Sequence, residues 1–378
     1  MPTVPAVPYV PAYGTASLAE LPGALLGSLG LPAAAGPALD PPLEPAARVC
    51  VFLVDGLGAE LLAAHAGAAP FLSAHLRGTL TAGFPSSTPT SLASLGTGVA
   101  PGEHGMLGIQ MAVPGEGRLF DCLHWTAPGP PIDPWAWQPA PTVYERMAAA
   151  GVEPVYVAPA ALAGTGLTHA VYRGVRHRAA ESPGERVEAA RQALRESRFV
   201  IVYYGDVDRA GHSRGWGGEE WLEKLAVADR MAERLAASLP PGAVLYVTAD
   251  HGMVNATDKV DVDLRPDLRE GVHMLGGEAR VRHVHTSPGA ASAVLETWRK
   301  ALRGRAWVVT REEAVAAGWF GRRVRREWLG RIGDVVAVPY GECVIVASAR
   351  APVEASMIGY HGSLTAAEQN VPLVEVRR

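Results

Sequence analysis

Four short stretches of the chain are mostly apolar, and three of them break off at or near glycine or an acid. Residues 48–55 read Arg-Val-Cys-Val-Phe-Leu-Val-Asp, and residues 152–158, 199–204 and 243–248 repeat the pattern. An apolar run without polar alternation marks a strand buried on both faces. Between these runs, residues 142–150, 183–195 and 219–239 carry apolar positions at helical spacing. Strands alternating with helices predict an α/β fold, a mostly parallel central sheet flanked by helices on both faces. In such a sheet ligands lie beyond the carboxyl ends of the strands. Three of the runs end at or just before an acid, namely Asp55, Asp206 with Asp208, and Asp250. Those acids are therefore expected to converge.

The pattern changes from about residue 255 to 340. Charged residues crowd 258–270 and 322–327, and the apolar runs shorten, which predicts an inserted cap. The chain returns to the core at 343–347 and in its C-terminal segment. Residues 1–46 are rich in proline, alanine and glycine and read as an N-terminal arm, with a short helix near 16–26, ahead of the main domain at 47–378. Residues 115–141, rich in Gly, Pro and Trp, read as a long surface loop with little regular structure.

Composition narrows the class. With 378 residues, 48% of them hydrophobic, the chain can bury a large core. A net charge of -4 gives no electrostatic ground for nucleic-acid or acidic-membrane binding. Cys50, Cys122 and Cys343 are odd in number and far apart, which predicts neither a disulfide framework nor a thiolate zinc site. The N-terminus lacks a basic region followed by an apolar one, so no signal peptide is expected. No apolar run reaches the ~20 residues of a membrane span. A cytoplasmic location is the expectation.

Four segments carry candidate chemistry, and each has a bland reading beside it. Asp55-Gly56 at a strand end suits a metal ligand, or simply a turn. The glycines Gly56 and Gly58 do not make a dinucleotide loop, because Leu61 stands where the third glycine belongs. Ser86-Ser87-Thr88 sits before a helical stretch, where free N–H groups and the helix dipole suit a phosphoryl oxygen; the alternative is a plain N-cap. Asp208 and His212 are four apart and share one helical face, a workable chelate. Asp206 beside them is either a supporting residue or a turn residue. Asp250-His251-Gly252 places a carboxylate next to an imidazole, which packing rarely wants and a shared metal does. A fifth piece, His361-Gly362, comes late in the chain.

Taken in this order, the segments resemble the alkaline phosphatase superfamily, and within it the type I phosphodiesterases and nucleotide pyrophosphatases. The resemblance runs from Asp55 to His361. Leu53-Val54-Asp55-Gly56 fits the first ligand. Phe84-Pro85-Ser86-Ser87-Thr88, followed by Thr97-Gly98, Pro101 and His104-Gly105, fits the nucleophile segment. Asp208 through His212, Thr248-Ala249-Asp250-His251-Gly252, and His361-Gly362 with Glu368 and Val371-Pro372-Leu373 fit the rest. The resemblance implies two divalent metal ions, zinc first, with manganese or iron admitted by all-oxygen and nitrogen ligation. It implies that Asp208, His212 and His361 hold one, and that Asp55, Asp250 and His251 hold the other with Thr88 alongside. It implies hydrolysis of small-molecule phosphate esters or nucleotides through a phospho-threonine on Thr88.

One position departs from the family. Nucleotide pyrophosphatases carry an Asn shortly after the His-Gly element, whereas this chain reads His104-Gly105-Met106-Leu107-Gly108-Ile109-Gln110. Ile109 stands at the Asn position, and Gln110 reaches it only if the loop shifts. The departure bears on the diester preference and not on the superfamily. Alternatives are a phosphomonoesterase, a phosphonate hydrolase or a phosphotransferase of the same superfamily, and more distantly a non-catalytic metal-binding protein. A sulfatase is disfavoured, since no Cys stands in the nucleophile segment. His104 reads as structural. His273, His283 and His285 are spare candidate ligands, and Arg280 and Arg282 are candidate contacts for an anionic substrate.

Overall fold

The computed structural model describes residues 7–32 and 39–378. The rest of the expected N-terminal arm, 1–6 and 33–38, lies outside the described residues. A seven-stranded sheet forms the centre. In chain order its strands are β1 (Arg48–Val54), β2 (Leu76–Thr81), β3 (Val155–Ala158), β4 (Arg176–Ala179), β5 (Phe199–Tyr204) and β6 (Ala243–Thr248), and the last is Asn370–Arg377. Across the sheet they run β2, the last strand, β6, β1, β5, β3, β4. All pairings are parallel except those of the last strand, which is antiparallel to both neighbours. Helices pack on both faces; Glu219–Ala237, for example, buries Trp221, Leu225, Ala228, Ala232 and Leu235 at i, i+4, i+7 spacing. This is the α/β architecture that the alternating pattern predicts.

Strand order explains the convergence of the acids. β6, β1 and β5 are adjacent, with Leu53 opposite Thr248 and Val54 opposite Tyr204. Their carboxyl ends lie side by side, so Asp55, Asp208 and Asp250 meet at one edge. The last strand runs the other way, and its start is at that same edge. His361 therefore arrives where the acids are. A two-residue pairing, Gly359–Tyr360 against Val254–Asn255, places it beside the loop after β6.

The region after β6 carries a second sheet, four-stranded and antiparallel. Its strands are β7 (Val272–Glu278), β8 (Val281–Thr286), β9 (Ala306–Thr310) and β10 (Val335–Pro339), in the order β7, β8, β10, β9. It has its own apolar cluster, with Leu268, Leu275, Val284, Val294, Trp298 and Leu302 at its centre. A buried ion pair fastens this unit to the main sheet. Arg280, in the turn between β7 and β8, donates Nε and Nη2 to the two carboxylate oxygens of Glu368, at 3.0 and 2.6 Å. Its Nη1 donates to the carbonyls of Gly341 and Cys343, at 2.9 and 2.5 Å. Glu368 also accepts the N–H of Ser363 at 3.0 Å.

Two segments differ from the sequence reading. Residues 115–141 are largely exposed turns and coil, as expected, but they carry two short ordered elements and buried anchors. Gln110–Val113 and Arg118–Asp121 pair as an antiparallel hairpin, turned at Gly115 and Gly117 with positive φ, and Pro134–Trp137 is a helical turn capped by Asp133. Phe120, Cys122 and Trp137 are buried in the main core. The guanidinium of Arg331 lies 3.7 Å from the Trp137 ring centre and 4.1 Å from that of Trp328, a stack that ties the segment to the cap. Glycine, proline and tryptophan spacing did not reveal this, because the partners are distant in sequence. The described part of the lead-in is also packed. Its helix is Leu21–Ser28, and Leu18, Leu21, Leu25 and Leu26 are buried in the main core. No helix among the described residues is long and apolar enough to cross a membrane.

The Arg280–Glu368 pair yields a stability prediction. Breaking a buried, hydrogen-bonded ion pair from one side leaves an uncompensated charge and costs roughly 3–5 kcal/mol. Arg280→Met should lower the urea midpoint accordingly, and adding Glu368→Gln should recover part of the loss. Equal midpoints for Arg280→Met and wild type would remove the pair's structural role.

Candidate active site

Six acidic and imidazole side chains and one hydroxyl meet at the carboxyl edge of β6, β1 and β5. Asp208 and His212 lie on one face of the helix Asp206–Arg214, with His212 Nε2 3.4 Å from Asp208 Oδ2. His361 Nε2 is 3.2 Å from His212 Nε2 and 3.9 Å from Asp208 Oδ1. On the other side His251 Nε2 is 3.5 Å from Asp55 Oδ1, 3.5 Å from Asp250 Oδ2 and 3.2 Å from Thr88 Oγ1. Ligand atoms of Asp208, His212 and His361 fall within 4.8 Å of one another, and so do those of Asp55, Asp208 and His251. Asp208 thus bridges the two groups, while Asp250 flanks the second.

Two glycines let these groups come this close. Gly56 has φ +74°, and a Cβ there would sit 2.9 Å from Asp208 Cα. Gly252 follows His251, and a Cβ there would meet the Ala367 carbonyl at 2.0 Å.

The hydrogen bonds fix which ring nitrogens face inward. Nδ1 of His212, His251 and His361 lies 2.9, 3.0 and 2.9 Å from the carbonyls of Gly359, Gly252 and Ser86. A carbonyl only accepts, so each Nδ1 carries the proton and each neutral ring turns a bare Nε2 lone pair into the cluster. The Nε2 atoms of His212 and His361 then face each other with no proton between them. Asp55 Oδ1, Asp208 Oδ1 and Asp250 Oδ2 are buried without a hydrogen-bond partner. Burial, then Asp250 and Asp208, push the Asp55 carboxyl well above its ordinary value. Burial, then His251 and His212, push His361 well below its own. Orphaned carboxylate oxygens and inward lone pairs are a donor set that fits divalent cations, and a cation reverses both penalties.

The nucleophile segment precedes the helix Thr88–Thr97. Ser86 and Ser87 are fully buried and engaged locally. Ser86 Oγ donates to the Ser363 carbonyl at 3.1 Å and accepts the Gly362 N–H at 3.1 Å, while Ser87 Oγ is 3.2 Å from Thr90 Oγ1. Thr88 alone of the three hydroxyls is part-exposed, and it faces His251. A groove of about 520 Å³ opens beside Asp208 and His212, walled by Tyr203, Arg209, Val353 and Met357.

The remaining candidates lie elsewhere. Asp206 begins its helix and pairs with exposed Arg209 at 3.2 Å, outside the cluster. His283 is buried and bonded to the Leu107 carbonyl and the Gly333 N–H, and burial lowers it to about 3. His285, beside it on β8, is lowered to about 4, again by burial. His273 is exposed on β7, and Gln110 starts the hairpin. His104 is buried between Ser94 Oγ and the Met106 N–H. Arg280 and Arg282 do not face the site as substrate contacts; both are buried in ion pairs, with Glu368 and with Glu354 at 2.5 Å.

Two supporting residues escaped the sequence reading. Tyr203 donates its hydroxyl to Asp55 Oδ2 at 2.5 Å. Its signal was present, since the last residues of β5 must lie beside the end of β1. Glu278, ending β7, is buried against the back of the nucleophile segment. It accepts the Ile109 N–H at 2.9 Å. No local pattern points to it.

Comparisons with known proteins show the family. The family model for type I phosphodiesterase / nucleotide pyrophosphatase matches residues 49–364. The chain belongs to that family. It is thus a member of a hydrolase family, and every cluster residue lies within the match. Among solved structures, phosphonoacetate hydrolase from Sinorhizobium meliloti aligns with TM-score 0.66 and 21% identity, over 87% of this chain and 90% of that one. Murine ectonucleotide pyrophosphatase / phosphodiesterase 5 aligns with TM-score 0.68 and 17% identity, over 86% and 87%. At these identities the likeness is one of fold. No curated protein matches the chain.

Glu278 gives a pH prediction. Burial, opposed by the Ile109 N–H and Ser87 and reinforced by Glu354, pushes its carboxyl up to about 8 from 4.5. A raised folded value means that the stability is fully present below the unfolded value and is lost as pH climbs through the folded one. Between pH 5 and pH 9 wild type should lose roughly 3–5 kcal/mol that Glu278→Gln does not lose. Urea midpoints of the two proteins at both pH values check this, and parallel pH dependence would refute it.

Proposed function

We propose that this protein hydrolyses phosphate esters, with phosphodiesters or nucleotide-type pyrophosphates as the expected substrates, and that Thr88 is its nucleophile. One observation carries the reading. Three inward imidazole lone pairs and three orphaned carboxylate oxygens gather in one cluster, and the single part-exposed hydroxyl of the 86–88 segment faces it through His251. Asp208, His212 and His361 would hold one divalent ion, and Asp55, Asp250 and His251 the other, with Asp208 between them. Divalent ions bound there supply the positive charge that favours the Thr88 alkoxide and neutralises phosphoryl oxygens.

The chain's own residues do the rest. Ser86 fixes His361 through its carbonyl, and Tyr203 fixes Asp55 through its hydroxyl. Thr88 Oγ gives its proton to solvent and bonds to phosphorus as the ester P–O bond breaks; the leaving oxygen takes a proton from solvent and departs as the alcohol, and a phospho-threonine remains. Water then cleaves that ester and restores the hydroxyl. The groove beside Asp208 and His212 is where the rest of the substrate would lie.

A second reading has one observation in its favour. Ile109 offers no amide side chain where nucleotide pyrophosphatases carry Asn, and its N–H is taken by Glu278. This favours phosphomonoesters or phosphonates as substrates of the same machinery.

Purified protein supplied with zinc or manganese should cleave bis-p-nitrophenyl phosphate. Thr88→Ala should lower kcat by about a thousandfold or more while the metal stoichiometry is retained. Full turnover in Thr88→Ala would refute the nucleophile, and relative rates on mono-, di- and phosphonate esters decide between the two readings. Metal at about 100 times its Kd should add roughly 2.7 kcal/mol of stability, read as a rise in Tm that a chelator reverses. A Tm indifferent to zinc, manganese and iron would refute the metal site.

A further inference from the structure

Glu278 takes no part in the acid–imidazole cluster, yet its carboxyl is buried where three site-forming segments meet. Its Oε2 accepts the Ile109 N–H at 2.9 Å. The Ser87 hydroxyl stands next to the carboxyl. Gly108 and Gly362 pack on its two oxygens, and a Cβ at either would come within 3.1 or 3.2 Å of one. Gly362 follows His361, and Ser87 precedes Thr88. Glu278 itself ends β7, so it reaches the reactive edge from the cap.

The second oxygen shows what the carboxyl does. Oε1 is buried and closes no hydrogen bond of good geometry. An ionised carboxylate there would be a buried anion with one N–H donor, which is costly. The charged groups facing it are Glu354 and Arg282, and those two are paired with each other. Burial dominates and pushes the carboxyl up to about 8, which favours the neutral acid. A neutral acid has one acceptor and one donor. Oε2 takes the Ile109 N–H, and the proton on Oε1 can go to Ser87 Oγ. Ser87 then donates to Thr90 Oγ1, 3.2 Å away. The contacts run from the 108–109 turn through Glu278 to the neighbouring Ser87, and from Ser87 to Thr90 in the first turn of the helix that presents Thr88.

We propose that Glu278 is a positioning residue, whose carboxyl joins the Gly108–Ile109 turn to Ser87 and so holds Thr88 against His251. The inference rests on the reading of Thr88 as the reacting group. It adds that the cap sets the nucleophile from behind, through a residue that never touches substrate.

The test compares wild type, Glu278→Gln, Glu278→Leu and Glu278→Asp, each supplied with zinc or manganese and checked for metal content. Turnover of bis-p-nitrophenyl phosphate is measured, together with hydrogen–deuterium exchange at 86–91 and 108–110. The Gln amide can still accept from Ile109 and donate to Ser87, so its kcat should stay within about threefold of wild type. Leu lacks both functions, and kcat should fall at least about tenfold with KM within about threefold, while exchange quickens in both segments. Asp withdraws the carboxyl by one methylene and should behave as Leu does, which keeps the test decisive if the Leu variant does not fold. Wild-type kcat and exchange in Leu and Asp would overturn the proposal. A Gln variant as impaired as Leu would overturn the neutral-acid bridge. If wild type cleaves no phosphate ester, the proposed function fails, and the exchange pattern alone still decides whether Glu278 holds the segment.

Discussion

Three carboxylates and three imidazoles are held together here with too few hydrogen-bond donors to satisfy them all. Each imidazole has spent its N–H on a backbone carbonyl, and each carboxylate keeps an oxygen buried without a donor. Left to themselves these groups repel or stay unsatisfied, and a protein core tolerates that arrangement only when something else is meant to complete it. Much of the surrounding structure can be understood as what keeps this cluster from relaxing. Tyr203 and the backbone N–H groups of Gly56 and His251 hold the acids. Ser86 clamps the His361 loop from three atoms.

The sheet supplies the geometry at low cost. Adjacent parallel strands put their carboxyl ends in one line, so three acids need only follow three neighbouring strands. The antiparallel last strand begins at that same line, and His361 reaches the cluster just ahead of it. The cap contributes differently. It is fastened by Arg280 to Glu368, and it presses Glu278 against the nucleophile segment.

Much of this was legible in the sequence, for physical reasons. β1, β5 and β6 are buried on both faces, so their apolar runs are unbroken and their acidic ends stand out. The family pattern singled out the seven side chains that the structure brings together. β2 and β4 were not legible. Both are edge strands, one reading Leu-Arg-Gly-Thr-Leu-Thr and the other Arg-His-Arg-Ala, and their half-exposed positions carry no apolar signature. The hairpin after Ile109 was hidden by its turn residues, which look the same in an open loop. Arg280 and Arg282 looked like anion contacts because a sequence shows charge but not the partner that neutralises it. Glu278 was invisible for the same reason, since its meaning lies wholly in residues 87, 109 and 362.

A single antiparallel strand joins β2 to the other five strands of the central sheet. Residues 370–377 fill the gap between β2 and β6. Without them β6 would be an open edge with unpaired backbone groups, and β2 would have no partner strand in the sheet. Any local unfolding that frees this strand therefore uncovers a pairing edge on β6 and is an aggregation hazard.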